Sequence, residues 1–274
     1  PSHRPQPQPT ATRTPNPTST PVPSSTVLST PPAGSGTSTT TGGSTPPSGS
    51  TPGSSITGGN QPNPGAPSSG SGLFSLAARR LGATVHSFDY DAESVACTAE
   101  LRRRYFPDDP EWVVEQGSVL ETPYLRSLGQ YDVVYSWGVL HHTGSMWQAM
   151  ENVSSCVRPG GRLAVALYNR RPSSPRWWKV KETYNRSGIV VRALLVWGYY
   201  SARVASRLLK GQSPFTQRRG MSLYHDVVDW VGGFPYEYAS HAEVVAWGAL
   251  HGLALLGSTQ TNSVGCNEYL FFKP

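Results

Sequence analysis

From Leu73 to Asn169, short runs of β-branched and aromatic residues alternate with stretches of helical spacing, and no other feature restricts the fold of this chain as much. Leu73, Phe74, Leu76, Ala77 and Leu81 recur on one helical face, which Gly82 closes. Residues 84–88 read as a strand ended by Asp89, Tyr90 and Asp91, with Asp91 the N-cap of a helix over residues 92–105. Residues 112–116 predict a third strand and residues 121–130 a loop or short helix. Met146, Ala149, Met150 and Val153 give a helix over residues 145–157, the turn Arg158-Pro159-Gly160-Gly161 follows, and residues 162–168 make a buried strand. Strand and helix in strict alternation indicate a doubly wound, mostly parallel sheet.

The centre of that pattern is the run Tyr131-Asp132-Val133-Val134-Tyr135, which suits a strand buried on both faces. Ser136, Trp137 and Gly138 lie just past it, where open α/β sheets form their ligand crevice. His141 and His142 follow closely; an imidazole titrates near neutral pH, so either is a candidate general base, the alternative being core histidines. No carboxylate or cysteine stands beside them at ligand spacing, so no metal site is expected. The turn Gly70-Ser71-Gly72 feeding a helix has the form of a phosphate or nucleotide cradle. Asp89 stands 17 residues after Gly72, near the roughly 20-residue gap at which an acid ending the second strand meets ribose hydroxyls.

Residues 1–72 are almost wholly Pro, Ser, Thr and Gly, with Val27, Leu28 and Ile56 nearly alone as large aliphatics. Such a segment has too little apolar surface to offset chain entropy and is expected to be disordered. The formal net charge is +6, and basic clusters at residues 102–104, 170–171, 176–181 and 218–219 suit an anionic substrate or surface; no nucleic-acid motif accompanies them. Cys97, Cys156 and Cys266 are odd in number and widely spaced, which fits a reducing interior and gives a cytoplasmic expectation. The Ser/Thr/Pro tail pulls the other way, since glycosylated stalks share that composition.

Five segments together resemble the ordered motifs of class I S-adenosylmethionine-dependent methyltransferases: Gly70-Ser71-Gly72-Leu73-Phe74, Ser87-Phe88-Asp89, Gly117-Ser118-Val119-Leu120, residues 131–142, and Val157-Arg158-Pro159-Gly160-Gly161. The resemblance implies S-adenosylmethionine as cofactor, with Gly70 and Gly72 beside its methionine part. Asp89 and Tyr90 would then lie at the ribose, Ser118 and Val119 at the adenine, and Ser136 and Trp137 between cofactor and substrate. It also implies a fold with a helical insertion and a C-terminal antiparallel hairpin, divided as a tail (1–68), a Rossmann-like core (69–169), an insertion or lid (170–240) and a closing helix and strands (241–274).

One departure stands out. Counting back from Gly72 puts Ala66 where the family has the acid ending its first strand, and upstream lies Asn60-Gln61-Pro62-Asn63-Pro64, which cannot serve a central strand because proline lacks a ladder donor. The chain is therefore expected to lack its first strand and to be marginally stable.

Beyond Asn169 come the basic, Trp-rich residues 172–184 and a helix over 188–210, whose apolar run is too short to span a bilayer. This helix reads as a lid or as a contact for a membrane surface. Tyr168, Asn169, Tyr224 and Asp226 are candidate substrate contacts, a helix is expected over 242–251, and residues 253–256 and 266–272 give the final strands. The expected reaction is O- or N-methylation of a small-molecule, glycan or lipid-type acceptor. Alternatives are an inactive methyltransferase-like remnant and a basic module that binds a membrane surface or nucleic acid.

Overall fold

The computed structural model describes residues 72–213 and 222–274, and the backbone of residues 25–30. In chain order the elements are β1 (Ser25–Thr30), α1 (Leu73–Arg80), β2 (Thr84–Asp89), α2 (Ala92–Tyr105), β3 (Trp112–Gln116) and α3 (Thr122–Leu128). They continue with β4 (Tyr131–Trp137), α4 (Met146–Ser155), β5 (Val157–Tyr168), α5 (Ser174–Arg186) and α6 (Ile189–Leu209), then α7 (Leu223–Gly232), α8 (His241–Leu250), β6 (Ala254–Thr259) and β7 (Cys266–Phe272). One seven-stranded sheet results, in the order β3-β2-β1-β4-β5-β7-β6. The pairs β2–β3 and β4–β5 are parallel, while β7 runs antiparallel to both β5 and β6.

Local signals account for most boundaries. Asp91 caps α2 by accepting the Ser94 N–H at 2.9 Å, and Ser240 with Glu243 forms a capping box on α8. Gly72 starts α1 in the left-handed region at φ 70°, and a Cβ there would lie 2.9 Å from the Thr98 Cα of α2, so only glycine lets the two helices approach this closely. The turn expected at residues 158–161 instead lies within β5. Val157 pairs with Tyr131 and Arg162 with Val133, so the intervening residues bulge out of the ladder.

The sheet is not missing its first strand. Contrary to the expectation that residues 1–72 stand apart, Ser25–Thr30 fills the slot between β2 and β4, antiparallel to both. Val27 is opposite Ser87 and Tyr135, and Leu28 is opposite His86 and Val134. The physical reason lies in Ser25-Thr26-Val27-Leu28-Ser29-Thr30 itself: it has β-branched residues, the tail's adjacent pair of large aliphatics, and no proline, so every residue can join a ladder. A parallel first strand would have to lie just upstream of Gly72, where the prolines exclude it. The remaining tail residues, with Ala66 and Gly70 among them, lie outside the described residues.

Three apolar clusters hold the described layers. The largest joins β4, β5 and β7 to α3, α4 and α8 through residues such as Leu125, Met150, Leu163 and Phe271. A second packs Leu76, Val85 and Trp112 between α1, β2 and β3, where Trp112 Nε1 donates to Ser87 Oγ at 3.1 Å and Ser87 Oγ donates to Ser75 Oγ at 2.8 Å. The third, built on Val196, Val227 and Val231, binds the insertion helices α5, α6 and α7 to one another.

Since β1 completes two ladders, a proline inside it should be felt globally. Leu28→Pro removes a ladder donor and leaves neighbouring buried groups unpaired, at about 1–3 kcal/mol each. We expect the melting temperature to fall by at least about 5 °C in calorimetry, given roughly 2–4 °C per kcal/mol for a domain of this size. An unchanged transition would show that the slot does not depend on β1.

Candidate active site

The crevice at the carboxyl ends of β2, β3 and β4 gathers the residues expected at a cofactor. Asp89 ends β2, is 3% exposed, and accepts the Asp91 N–H through Oδ1 at 2.9 Å. Its carbonyl accepts the Gly117 N–H at 3.0 Å, which brings the turn after β3 to the same edge. In that turn Ser118 is half-buried with Oγ accepting the Leu120 N–H, while Val119 is buried in the main core. Tyr90 is exposed and Gln116 Nε2 donates to its carbonyl at 2.9 Å. At the end of β4 the rings of Tyr135 and Trp137 stack at 5.4 Å, with Phe74 of α1 at 4.8 Å from Tyr135. Between these rings in sequence, Ser136 is fully buried and its hydroxyl has no hydrogen-bond partner among the described residues. The set fits an adenosine-bearing cofactor: a carboxylate at the edge of β2, a tight glycine turn at the start of α1, and an orphaned buried hydroxyl at the tip of β4.

Beside this crevice, at the tips of β4 and β5, lies a buried aromatic and polar cluster. Gly138, at φ 78°, turns the chain out of β4 into a short 3-10 turn, Leu140–His142. His141 packs 3.9 Å from the ring of Tyr168, the last residue of β5, and its Nδ1 accepts the Tyr168 N–H at 3.3 Å. That bond leaves the ring proton on Nε2, which is buried and has no partner at close hydrogen-bond geometry among the described residues. His142 donates from Nδ1 to the Pro235 carbonyl at 2.7 Å. A Cβ at Gly233 would come within 2.9 Å of His142 Cε1, so glycine is required where the loop after α7 crosses this ring.

The insertion completes the cluster. Lys181 of α5 is fully buried, donates to the Trp230 carbonyl, and holds its ammonium 4.1 Å from the Trp230 ring and 4.9 Å from that of Tyr236. Trp230 Nε1 and Tyr236 Oη, like His141 Nε2, are buried with no partner at close hydrogen-bond geometry among the described residues, although the Ser174 hydroxyl lies near Tyr236 and the Ala166 backbone near His141. Glu237 accepts the Met146 N–H at 3.0 Å and so fastens the loop after α7 to the first turn of α4.

Burial governs the protonation of this cluster. It holds His141 well below the usual imidazole range, with His142 and Lys181 adding repulsion, and it lowers His142 to about 3 with Lys181 contributing. Burial also brings Lys181 down to about 7, against the attraction of Asp229, and raises Asp229 to about 7, against the attraction of Lys181. Two neutral histidines are therefore weak bases at neutral pH; their geometry suits hydrogen bonding, His141 as donor and His142 as acceptor.

The other expected contacts fall elsewhere. Asn169 Nδ2 is engaged by the carbonyls of Thr261 and Ser263 at 2.8 and 3.3 Å, which makes it an anchor of the turn before β7. Tyr224 packs against Trp197 and Tyr200 of α6, and Asp226 faces Arg203 of α6 at 3.6 Å, both on the outer side of the insertion. Sequence reasoning missed Lys181 and Tyr236. Lys181 sat within a basic stretch that composition alone reads as a solvated face, although Trp177, one turn earlier, carried the contrary signal. Among the described residues, no group of three or more His, Cys, Asp or Glu is placed to hold a metal ion.

Residues 67–163 match the family model described as a methyltransferase domain. The 27-O-demethylrifamycin SV methyltransferase of Amycolatopsis mediterranei is 30% identical over 112 residues, which cover 40% of each protein. The highly reducing polyketide synthase PKS2 of Leptosphaeria maculans is 38% identical over 61 residues, 20% of this chain and 2% of that protein. This chain thus spans less than half the length of these curated relatives. Among solved structures, PKMT2 from Rickettsia typhi in complex with AdoHcy aligns at TM-score 0.46 and 13% identity over 68% of this chain and 43% of that one. The domain match and the strand order agree with the five-motif resemblance over residues 67–163: the fold there is that of class I S-adenosylmethionine-dependent methyltransferases.

The buried histidines give a pH signature. The unfolded chain protonates its imidazoles near 6.5 whereas folded His142 stays neutral down to about 3, so the unfolded state binds more protons in that window. Stability is full above 6.5 and is lost as pH falls toward 3, by up to about 1.4 kcal/mol per pH unit for each such histidine. Asp229, raised in the folded state, works in the opposite direction between 7 and 3.8. His142→Gln isolates the histidine contribution: urea unfolding between pH 6.5 and 5 should show a shallower loss than wild type, and equal slopes would contradict the assignment.

Proposed function

We propose that this chain transfers the methyl group of S-adenosylmethionine to an oxygen or nitrogen of a small-molecule acceptor. What supports the reading is that Asp89 ends β2, Gly72 starts α1 and the Tyr135–Trp137 pair ends β4, next in the chain to the buried cluster at the tips of β4 and β5. The relative whose name specifies O-methylation of a rifamycin supports an acceptor of this class. When bound, the cofactor supplies an activated methyl on a sulfonium, so the protein's task is alignment and exclusion of water. Asp89 accepts hydrogen bonds from the ribose, Ser118 and Val119 border the adenine, and Gly72 admits the amino-acid end. Ser136 and Trp137 separate cofactor from acceptor. On the acceptor side His141 Nε2 and Tyr236 Oη offer hydrogen bonds to the acceptor, and His142 and Tyr168 hold their positions. Cys97 on the surface and Cys156 in the core suit a reducing compartment, hence a cytoplasmic location.

Calorimetry with S-adenosylmethionine tests this. Ribose-to-carboxylate bonds are charge-assisted, about 1.5–3 kcal/mol each, so Asp89→Ala should weaken binding roughly tenfold or more. Equal affinity in both proteins removes Asp89 from the site. No binding by either supports the reading of the chain as an inactive remnant.

A further inference from the structure

Helix α6 presents an exposed apolar face. Its inner side, with Val196, Tyr199 and Val204, packs on Val227 and Val231 of α7 and on Tyr184 of α5. On the outer side Val190, Leu194, Trp197 and Leu208 recur at helical spacing and are 69%, 68%, 56% and 59% exposed. Ile189 and Leu209, at the two ends of the helix, are also exposed. Val190, Leu194 and Trp197 form an apolar patch over the first turns of this 21-residue helix, with Leu208 on the same side near its end, rather than the scattered exposed residues of an ordinary surface.

The charged residues of α6 itself are all cationic. From residue 183 to residue 225 the sequence contains no Asp or Glu. Within the described part of that stretch Arg186, Arg192, Arg203, Arg207 and Lys210 are all cationic. Arg192 is held by the carbonyls of Tyr184 and Asn185 at 3.0 Å, so its charge is positioned but not neutralised, and Arg186 and Arg203 face Glu182 and Asp226. No helix among the described residues is long and apolar enough to cross a membrane, so a bilayer would meet α6 lying flat. A second copy of the chain fits less well, because facing two such stretches brings like charges together as apolar contact lowers the dielectric.

We propose that α6 docks the protein on an anionic bilayer surface, lying in the interface with Val190, Leu194, Trp197 and Leu208 among the lipids and the flanking cations at the headgroups. The methyl-transfer domain is thereby held at the membrane through the insertion, since α5 and α7 connect α6 to the buried cluster at the tips of β4 and β5.

Flotation of the full chain with vesicles tests the proposal. The protein should float with vesicles containing phosphatidylglycerol, float poorly with pure phosphatidylcholine, and be released by salt. The double variant Val190→Ser/Leu194→Ser should lose roughly tenfold or more in partitioning, while Val190→Ile/Leu194→Ile retains it and both variants melt like the wild type. Absence of flotation, equal flotation of the double variant, or no preference for anionic lipid would each overturn the proposal. So would a concentration-dependent dimer in sedimentation that the double variant abolishes, which would make the occupant a second copy.

Discussion

The backbone ladder between β1 and its two neighbours is the constraint on which the rest of the structure depends. In an open α/β sheet the strand flanked by β2 and β4 divides the two helical layers and brings their carboxyl ends together as one crevice. An empty slot there would leave two rows of amides and carbonyls without partners inside the molecule. Ser25–Thr30 supplies those partners by running antiparallel to β2 and β4. Reversal has a cost for the site: Ser25 pairs with Asp89, so the chain enters the strand at the crevice and leaves it, at Thr30, beside Thr84. The direct passage from first strand to Gly-rich turn is therefore absent, and Gly72 is placed instead by its contact with Thr98 and by the packing of α1 on β2.

The second dependence runs through the insertion. His141, Tyr168 and Lys181 come from three separate elements, and the loop at Gly233–Tyr236 closes over them through His142 and Glu237. A buried lysine is tolerated because the Trp230 carbonyl and three aromatic faces surround its ammonium and Asp229 lies near. The atoms of His141, Trp230 and Tyr236 that lack a close hydrogen-bond partner among the described residues make the cluster costly as mere packing, which is why it reads as a place built for a polar ligand.

Much of this was legible in the chain. Periodicity located α1, α2, β2, β3 and β4 to within a residue or two, because each buries one consistent face and carries its own cap or glycine stop. The place of Asp89 at the end of β2 followed from the strand pattern over residues 84–88, and the closing antiparallel hairpin from the likeness of the last two strands to the family's. What was not legible depended on long-range pairing. Strand propensity in a segment of six residues, 42 residues upstream of α1 and amid proline, is no stronger than in many segments that remain unpaired; only the vacancy between β2 and β4 selects it. Likewise a lysine among arginines reads as solvated until α7 is laid across it, and Tyr224 and Asp226 read as site residues until their partners on α6 are seen.

The measurement that bears most directly on this account is amide hydrogen exchange along residues 25–30 in the full chain. The account predicts that Val27 and Leu28 are protected to the same degree as Ser87 and Val134, their partners on β2 and β4, because all open in one cooperative unit. Exchange of residues 25–30 at the rate of an unstructured peptide, with β2 and β4 still protected, would contradict it.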